Sequence, residues 1–204
     1  MPAKTPSPVT LTGHHVRLEP LTMEHLADLF AAGGGDEEVW RWQDGPAPQT
    51  QDKFRVKLGD LLGAAEHGTY VPFAVIHRAS GQAIGWTCFM DIDAEHERLE
   101  IGATWYGRAY WRSGVNSEAK LLLLTHAFEE LGMGRVQLKT DHMNQRSQTA
   151  IARLGAQREG VLRRHRQRPD GTWRDTVYFS ILGEEWPGVK ARLEAALKAG
   201  LQVV

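Results

Sequence analysis

The sequence predicts a single α+β domain, a mixed sheet that is mostly antiparallel and is flanked by helices. Two observations indicate this fold class. Hydrophobic residues recur with a period of about two in some segments and about 3.6 in others, so both strands and helices are expected. Three strand-like segments also follow one another with only turn-sized gaps, which is typical of antiparallel neighbours. The 204 residues suit one domain, and we find no linker that divides them.

The composition excludes several classes of protein. Hydrophobic residues make up 42% and charged residues 24%, which is near the globular average and argues against disorder. Lys plus Arg number 24 and Asp plus Glu 25, so the net charge is -1, and binding of DNA by the whole surface is not expected. The only cysteine is Cys88, which excludes an internal disulfide. No segment is apolar enough to span a bilayer, and we expect a cytoplasmic protein without a membrane partner.

The first part of the chain predicts a tail, a strand and two helices. Residues 1–10 are rich in Pro, Ser and Thr and are expected to form a flexible tail, which leaves residues 11–204 as the domain. Residues 15–20 alternate like a short strand. Thr22 can cap a helix that ends at the three glycines from Gly33 onward. The second helix has an apolar stripe made of Phe54, Leu58, Leu61, Leu62 and Ala65.

The middle of the chain predicts an antiparallel meander followed by a long helix. The three strands cover residues 72–76, 83–92 and 98–105. A glycine-containing loop over residues 107–114 leads into the helix, which Gly132 ends. The apolar face of this helix comprises Val115, Ala119, Leu122, Leu123, Ala127, Phe128 and Leu131.

The last third predicts a strand, a helix, two more strands and a final helix. Residues 135–140 form the strand, and the shorter helix that follows ends at Gly155. Two strands flank the turn at residues 169–171. The final helix carries Trp186, Val189, Leu193 and Leu197.

The most informative stretch for function is a strand, loop and helix over residues 100–119. The first turn of a helix offers unpaired N–H groups and the positive end of its dipole, and a glycine there lets a phosphate approach. Gly114 lies at this place, Arg112 adds charge, and Ser113 and Ser117 add hydroxyl groups. Taken alone, such a loop is more often an ordinary capped turn. The loop matches neither the Walker pattern nor the dinucleotide fingerprint.

Three blocks of sequence resemble a known family. They are Glu-Ile-Gly at residues 100–102, Trp-Arg-Ser-Gly-Val-Asn-Ser-Glu-Ala at residues 111–119, and residues 144–156, which begin Asn-Gln-Arg-Ser and end Leu-Gly-Ala. Their order and spacing are similar to those of the GNAT acyltransferase superfamily, in its RimJ/RimL-type branch of ribosomal-protein N-terminal acetyltransferases. The resemblance covers roughly residues 11–190. It implies a sheet splayed into a V, with acetyl-CoA held in the cleft and an acetyl group transferred to a primary amine.

The resemblance also implies the residues that bind acetyl-CoA. Residues 111–116 align with the pyrophosphate loop, where Trp111 replaces a Gln or Arg and Asn116 replaces a small residue. The edge of the strand that ends at Tyr106 is expected to pair with the pantetheine arm. Asn144 is expected to bind that arm, to cap a helix, or both. The implied set is Thr104, Trp105, Tyr106, Trp111, Arg112, Ser113, Gly114, Val115, Asn116, Ser117 and Asn144, with no metal.

Acetyl transfer needs a neutral amine, a stabilised oxyanion and a proton for the departing thiolate. Glu100 is the candidate base, and an ion-paired strand carboxylate is an equally good interpretation. The family often donates the proton from a Tyr, but the matching position here is Ile151. Ser147 is the candidate donor in its place, although a serine at a helix start is often only a cap. Cys88 has apolar neighbours and is expected to be buried and inert.

Several features leave the acceptor open. Trp40 and Trp42 can line the acceptor cleft or pack in the core. A basic run made of Arg163, Arg164, Arg166 and Arg168 with His165 can bind an acidic peptide, the 3′-phosphate of the cofactor or rRNA, or form a solvated strand edge. The acceptor can be a protein N-terminus or a small amine. Succinyl-CoA as donor and a non-catalytic CoA-binding module are the alternatives, and a homodimer is plausible.

Overall fold

The computed structural model describes residues 2–168 and 170–200, and the protein folds around one sheet of eight strands. The strands are β1 (Leu11–Thr12), β2 (Val16–Pro20), β3 (Tyr70–His77), β4 (Ala83–Asp93), β5 (Arg98–Tyr106), β6 (Arg135–Asp141), β7 (Gln157–Gln167) and β8 (Trp173–Leu182). The helices are α1 (Leu26–Gly33), α2 (Glu37–Trp40), α3 (Gln51–Glu66), α4 (Val115–Thr125), α5 (Gln145–Leu154) and α6 (Trp186–Lys198). Among the described residues, no helix is long and apolar enough to cross a membrane.

The sheet has the order β1-β2-β3-β4-β5-β6-β8-β7 and is antiparallel except between β5 and β6. These two strands pair in parallel only over residues 98–100 and 135–137. Beyond that point β5 continues to Tyr106 and β6 to Asp141 without pairing to each other. The sheet therefore opens into a V, and the predicted fold class is confirmed.

The two faces of the sheet are covered by different helices. On one face α4 and α6 bury residues such as Leu123 and Leu193 against the strands. On the other face α1, α2 and α3 enclose an aromatic cluster of Trp40, Phe54, Trp86 and Trp105. Burial of such large apolar side chains is the main favourable term in folding.

Most predicted elements are present, and the differences have local causes. The sequence pattern missed β1 and α2, which have two and four residues and are too short to show a period. The long helix predicted from residue 115 stops being α-helical at Thr125 and continues as a π-helical turn over His126–Glu130. Thr22 caps a single 3₁₀ turn, Met23–His25, that leads into α1. Pro169, in the predicted turn between β7 and β8, lies outside the described residues.

The N-terminal segment is in contact with the domain. Residues 2–10 form no helix or strand, yet the Lys4 N–H donates to the Leu131 carbonyl at 2.8 Å. Ala3 and Val9 pack against the core. Met1, which is part of the expected tail, lies outside the described residues.

Candidate active site

A large cavity lies where β5 and β6 diverge. Its volume is about 1370 Å³, and its walls come from β5, the ends of α4 and α5, β6, and the segment that joins α2 to α3. The edge of β5 beyond Glu100 faces this cavity because β6 no longer pairs with it. A cleft of this size with a free strand edge can take an extended ligand that carries amide groups.

The loop before α4 has the backbone of an anion site. Gly114 is the N-cap of α4 with a φ of 83°, and Arg112 has a φ of 58°. Left-handed residues at a helix start turn successive N–H groups toward one point, where the helix dipole also favours negative charge. A glycine at position 114 avoids the strain that a side chain meets at positive φ.

The predicted cofactor residues divide into two sets. Seven line the cavity: Thr104, Trp105, Tyr106, Trp111, Arg112, Asn116 and Asn144. Ser113, Gly114, Val115 and Ser117 are not among its lining residues. The Ser113 hydroxyl donates to the Tyr110 carbonyl at 2.6 Å, and Val115 and Ser117 are buried. The Oδ1 atom of Asn116 is buried and has no hydrogen-bond partner among the described residues. Buried polar atoms are usually hydrogen-bonded, so this atom is one that a bound ligand could satisfy.

Trp111 holds the cationic side chain of Arg146 next to this loop, which the sequence pattern alone did not indicate. Its indole N–H donates to the Tyr106 carbonyl at 2.9 Å, which fixes the ring. The Arg146 guanidinium lies 3.9 Å from the centre of that ring, a cation–π contact. Where the family pattern has Gln or Arg, this chain therefore places an aromatic ring that holds an arginine from α5. The only signal in the sequence was that Arg146 belongs to the block at residues 144–147.

Glu100 lies at the point of the V and faces the cavity. Its side chain is 1% exposed and forms an ion pair with Lys139 at 2.8 Å. It also accepts a hydrogen bond from the Gln137 side chain at 3.0 Å. A Cβ atom at Gly102 would lie 2.7 Å from the Glu100 Oε1, so the missing side chain leaves room for the carboxylate. The ion pair and the position in the cavity, which the sequence left as alternatives, are both present.

Asn144 and Ser147 meet at the start of α5. Asn144 is the N-cap, and its side-chain oxygen accepts from the Ser147 N–H at 3.1 Å. The serine hydroxyl makes no hydrogen bond to a described residue, and the residue lines the cavity. Since the cap is supplied by Asn144, the Ser147 hydroxyl remains available to another group. Ile151 also lines the cavity.

Lys120 is a lining residue that the sequence analysis missed. Its side chain reaches from α4 to the Thr104 hydroxyl at 2.9 Å, and that hydroxyl lies 2.7 Å from the Thr87 hydroxyl. Lys120 is 5% exposed, and burial lowers its pKa to about 7. The sequence around Lys120 did not indicate that this charged side chain would be buried in the fold.

The far end of the cavity carries most of the remaining charge. Arg166 forms an ion pair with Asp44 at 3.1 Å, and the Lys57 ammonium donates to the Asp44 carbonyl at 2.5 Å. Arg174 on β8 lines the same region. Trp42 lines the cavity, and Trp40 both lines it and packs in the core, so both expected roles of these rings occur.

The basic run does not act as one stripe. Arg164 has a φ of 49° and stacks on Trp173, while Arg168 binds the buried Asp141 carboxylate with two hydrogen bonds of 2.8 and 2.9 Å. The strand pairing is irregular between Leu162 and Arg166, which breaks the alternation expected from sequence. Of the four arginines, only Arg166 lines the cavity.

Cys88 is fully buried, as predicted, and burial raises its pKa well above the usual range. A protonated thiol is a poor nucleophile. Within residues 2–168 and 170–200, no cluster of three or more His, Cys, Asp or Glu is placed to hold a metal ion.

Comparison with known proteins agrees with this geometry. Residues 15–157 match the acetyltransferase (GNAT) domain family. The chain belongs to the GNAT acetyltransferase family. A relative in Bacillus subtilis strain 168, named "Putative ribosomal N-acetyltransferase YdaF", is 32% identical over 182 residues, which are 85% of this chain and 92% of the relative. The acetyltransferase is thus an acyl-CoA-dependent N-acyltransferase, as the sequence blocks indicated.

Solved structures share the whole fold of this acetyltransferase. A GCN5-related N-acetyltransferase from Brucella melitensis has a TM-score of 0.91 and 33% identity, covering 98% of this chain and 93% of its own. RimJ of Mycobacterium smegmatis, in complex with CoA-disulfide, has a TM-score of 0.79 and covers 93% of this chain and 95% of its own. Its identity of 23% makes it a likeness of fold alone.

Proposed function

We propose that this acetyltransferase transfers the acetyl group of acetyl-CoA to a primary amine, which attacks directly while both substrates are bound. The observation that carries the proposal is that the loop before α4, a free strand edge and the Glu100 carboxylate all border one cavity at the V. The family supports the reaction type, and the CoA-disulfide in the RimJ structure supports the donor class.

The residues present suit the donor. The N–H groups at the start of α4 would receive the pyrophosphate, with Arg112 and Arg146 adding positive charge. The Asn116 Oδ1 atom has no hydrogen-bond partner among the described residues, so exchanging the amide O and N would lose no bond of that oxygen and would let the NH₂ group donate to a phosphate oxygen. The edge of β5 over residues 104–106 would pair with the pantetheine amides. When bound, acetyl-CoA supplies a thioester whose acyl carbon an uncharged amine can attack.

Glu100 would keep the amine uncharged. It would take a proton from the ammonium form directly or through one water, and Lys139 and Gln137 hold its carboxylate in place. An α-amine has an ordinary pKa of about 7.7–8.0 and a lysine amine about 10.4, so deprotonating an N-terminus is the smaller task. The name of the YdaF relative supports a protein N-terminus as one acceptor.

Ser147 would supply the last proton. Its hydroxyl faces the cavity and makes no hydrogen bond to a described residue, and Ile151 at the alternative position cannot donate. A hydroxyl near the sulfur can donate a hydrogen bond to the thiolate or pass on a proton from water.

The test is a thiol-release assay with acetyl-CoA and a panel of amines, paired with a measurement of acetyl-CoA binding. Glu100→Gln should bind acetyl-CoA normally and lose about 10²-fold or more in kcat, the size of a general-base contribution. Glu95→Gln, an exposed loop carboxylate, is the matched control. Unchanged turnover in Glu100→Gln refutes its role as base. For Ser147→Ala we expect a fall in kcat, and an unchanged value leaves water as the donor.

A second donor has one specific observation in its favour. The cavity is large, and Arg174 in its lining has no carboxylate partner among the described residues. Such a guanidinium could receive the free carboxylate of succinyl-CoA. Comparing kcat/KM for acetyl-CoA and succinyl-CoA with one amine decides between the two donors.

A further inference from the structure

The far end of the cavity holds two arginines side by side. Arg166 on β7 and Arg174 on β8 are direct cross-strand partners. Both line the cavity, so both belong to the face of the sheet that looks into it. Like charges placed directly opposite each other across two strands repel, and an anion bound nearby reduces that repulsion.

Only one of these two charges is balanced by a direct ion pair. Arg166 contacts the Asp44 carboxylate at 3.1 Å. Arg174 donates through its Nε atom to the Thr176 hydroxyl at 3.1 Å, and no carboxylate of the described residues lies within ion-pairing distance of it. Its terminal NH₂ groups therefore keep their hydrogen-bonding capacity, although the side chain is half-buried. Burial lowers the pKa of Arg174, which expresses the cost of this unpaired charge.

The other cations of this region already have partners. Lys139 is paired with Glu100, and Lys57 donates to the Asp44 carbonyl and lies over the ring of Trp40. In this part of the lining, Arg174 is thus the cation that remains available to form an ion pair with a substrate. The carboxylates of Asp141, Asp44 and Glu100, the proposed base, act on Arg174 through space, in that order of strength, although none of them forms an ion pair with it. Glu100 and Arg174 line the same cavity, so an anion bound at Arg174 and an amine at Glu100 would share that cavity.

We infer that the acceptor carries a carboxylate, and that the cross-strand arginine pair, chiefly Arg174, binds it. The inference rests on the proposed function and adds the substrate class. A planar guanidinium with two free NH₂ groups matches a carboxylate in bidentate geometry. Arg174 lies on β8, and strand β6 lies between β8 and β5 in the sheet. The donor is proposed to bind along the edge of β5, so we assign the carboxylate at Arg174 to the acceptor. A free amino acid and an acidic peptide N-terminus share this chemistry.

The experiment measures release of CoA from acetyl-CoA with matched pairs of amines. One pair is an ω-amino acid and the alkylamine of the same chain length. The other pair is a peptide with Asp as its second residue and the same peptide with Asn. Because the acetyl group is uncharged, any preference for the anionic member arises from the acceptor. We expect kcat/KM to favour the anionic member by about tenfold or more, the equivalent of one modest charged contact, and the pair with the larger ratio identifies the source.

Variants then assign the preference to Arg174. Arg174→Gln should bring the anionic-to-neutral ratio close to one, and Arg174→Lys should keep part of it. Arg163→Gln is the control, since Arg163 is an exposed arginine on β7 outside the cavity lining. The ratio compares two substrates of one protein, so partial unfolding of a variant does not change it.

Three results overturn the inference. One is equal activity on both members of each pair, and another is a preference that survives in Arg174→Gln. The third is equal activity on all the amines together with a preference for succinyl-CoA over acetyl-CoA that Arg174→Gln removes. That result would show that Arg174 binds the acyl group of the donor. In all three the proposed N-acyl transfer still stands. Absence of CoA release with every amine, neutral ones included, instead refutes the proposed function, and the inference falls with it.

Discussion

The Nζ atom of Lys120 lies 2.9 Å from the Thr104 hydroxyl, which ties helix α4 to the part of β5 beyond its pairing with β6. Thr104 follows Ala103, whose φ of 49° marks an irregularity in the β4–β5 pairing between Trp86 and Cys88. The bulge leaves the Thr104 hydroxyl between the Lys120 Nζ atom and the Thr87 hydroxyl. No carboxylate of the described residues forms an ion pair with Lys120, so its charge depends on pH.

Lys120 should make stability depend on pH in a defined window. Its pKa is about 7 in the folded protein and about 10.5 when unfolded. Between these values the unfolded chain binds a proton that the folded chain does not, so the free energy of unfolding rises with pH. The free-energy cost of burying this lysine therefore grows as pH falls from about 10.5 toward 7, with a slope of at most about 1.4 kcal/mol per pH unit.

Lys120→Met tests this dependence by denaturant unfolding at several pH values between about 7 and 9, because above the ordinary pKa of a thiol the buried Cys88 gives a slope of the opposite sign. The variant should lose the upward slope, whereas Lys53→Met, at an exposed position on α3, should keep it. Identical slopes in the wild type and in Lys120→Met would show that the lysine does not change its protonation on folding.

Gly102→Ala should slow the reaction by displacing the proposed base. The new Cβ atom would lie 2.7 Å from the Glu100 Oε1 and 2.7 Å from the Met90 sulfur, so the carboxylate must move. A displacement of about 1 Å in a catalytic group can cost about 10²-fold in rate. Steady-state kinetics should show a lower kcat with acetyl-CoA binding retained. Gly63→Ala, where nothing lies within 4 Å, should leave kcat unchanged. Normal kcat in Gly102→Ala argues against a fixed position for Glu100.

Arg146→Gln should weaken binding of acetyl-CoA with little change in kcat. The guanidinium stacks on Trp111 next to the phosphate loop, where it would attract the donor but touch no reacting atom. We expect the KM for acetyl-CoA to rise about tenfold at low ionic strength and the effect to shrink as salt screens the charge. Arg158→Gln, on exposed β7, is the control. A fall in kcat at unchanged KM contradicts this assignment.

Glu118→Gln should destabilise the fold rather than affect the chemistry directly. The buried carboxylate accepts three backbone hydrogen bonds of 2.7 Å, from His14, His15 and Val16. An amide cannot accept all three, and one buried N–H then faces an NH₂ group. We expect a loss of about 3 kcal/mol in the free energy of unfolding, measured by denaturant titration. Glu66→Gln, at an exposed position, should change it by no more than about 0.5 kcal/mol. Equal stability of both variants would show that the three hydrogen bonds accepted by Glu118 do not stabilise the fold.

Periodicity and motif spacing predicted the fold well because the information is local. Helix α3 and strands β3, β4 and β5 lie where their apolar patterns placed them. The role of Glu118 shows the limit of such reasoning. Its place in the first turn of α4 suggests only a favourable interaction with the helix dipole. The fold instead brings it to backbone groups about a hundred residues away.

The parts of the candidate site that lie within one segment of the chain were predictable from the sequence. The parts formed where several segments meet were not. The loop before α4 and the cap at Asn144 are contiguous motifs, and both took the expected backbone form. Lys120, Arg146 and Arg174 gain their surroundings only when α4, α5 and β8 converge on the V. The residues next to them in the sequence do not indicate which groups will surround their side chains in the fold.

The sequence by itself determined the family, the order of the longer elements and the position of the glycine-containing loop before α4, since these follow from residue spacing and backbone preference. The tertiary structure decided which charges meet. It paired Glu100 with Lys139, buried Lys120 without a carboxylate partner among the described residues, and left Arg174 facing the cavity without one. The physical reason is that charge–charge energy depends on distance and on burial, and both are set by strands and helices far apart in the chain.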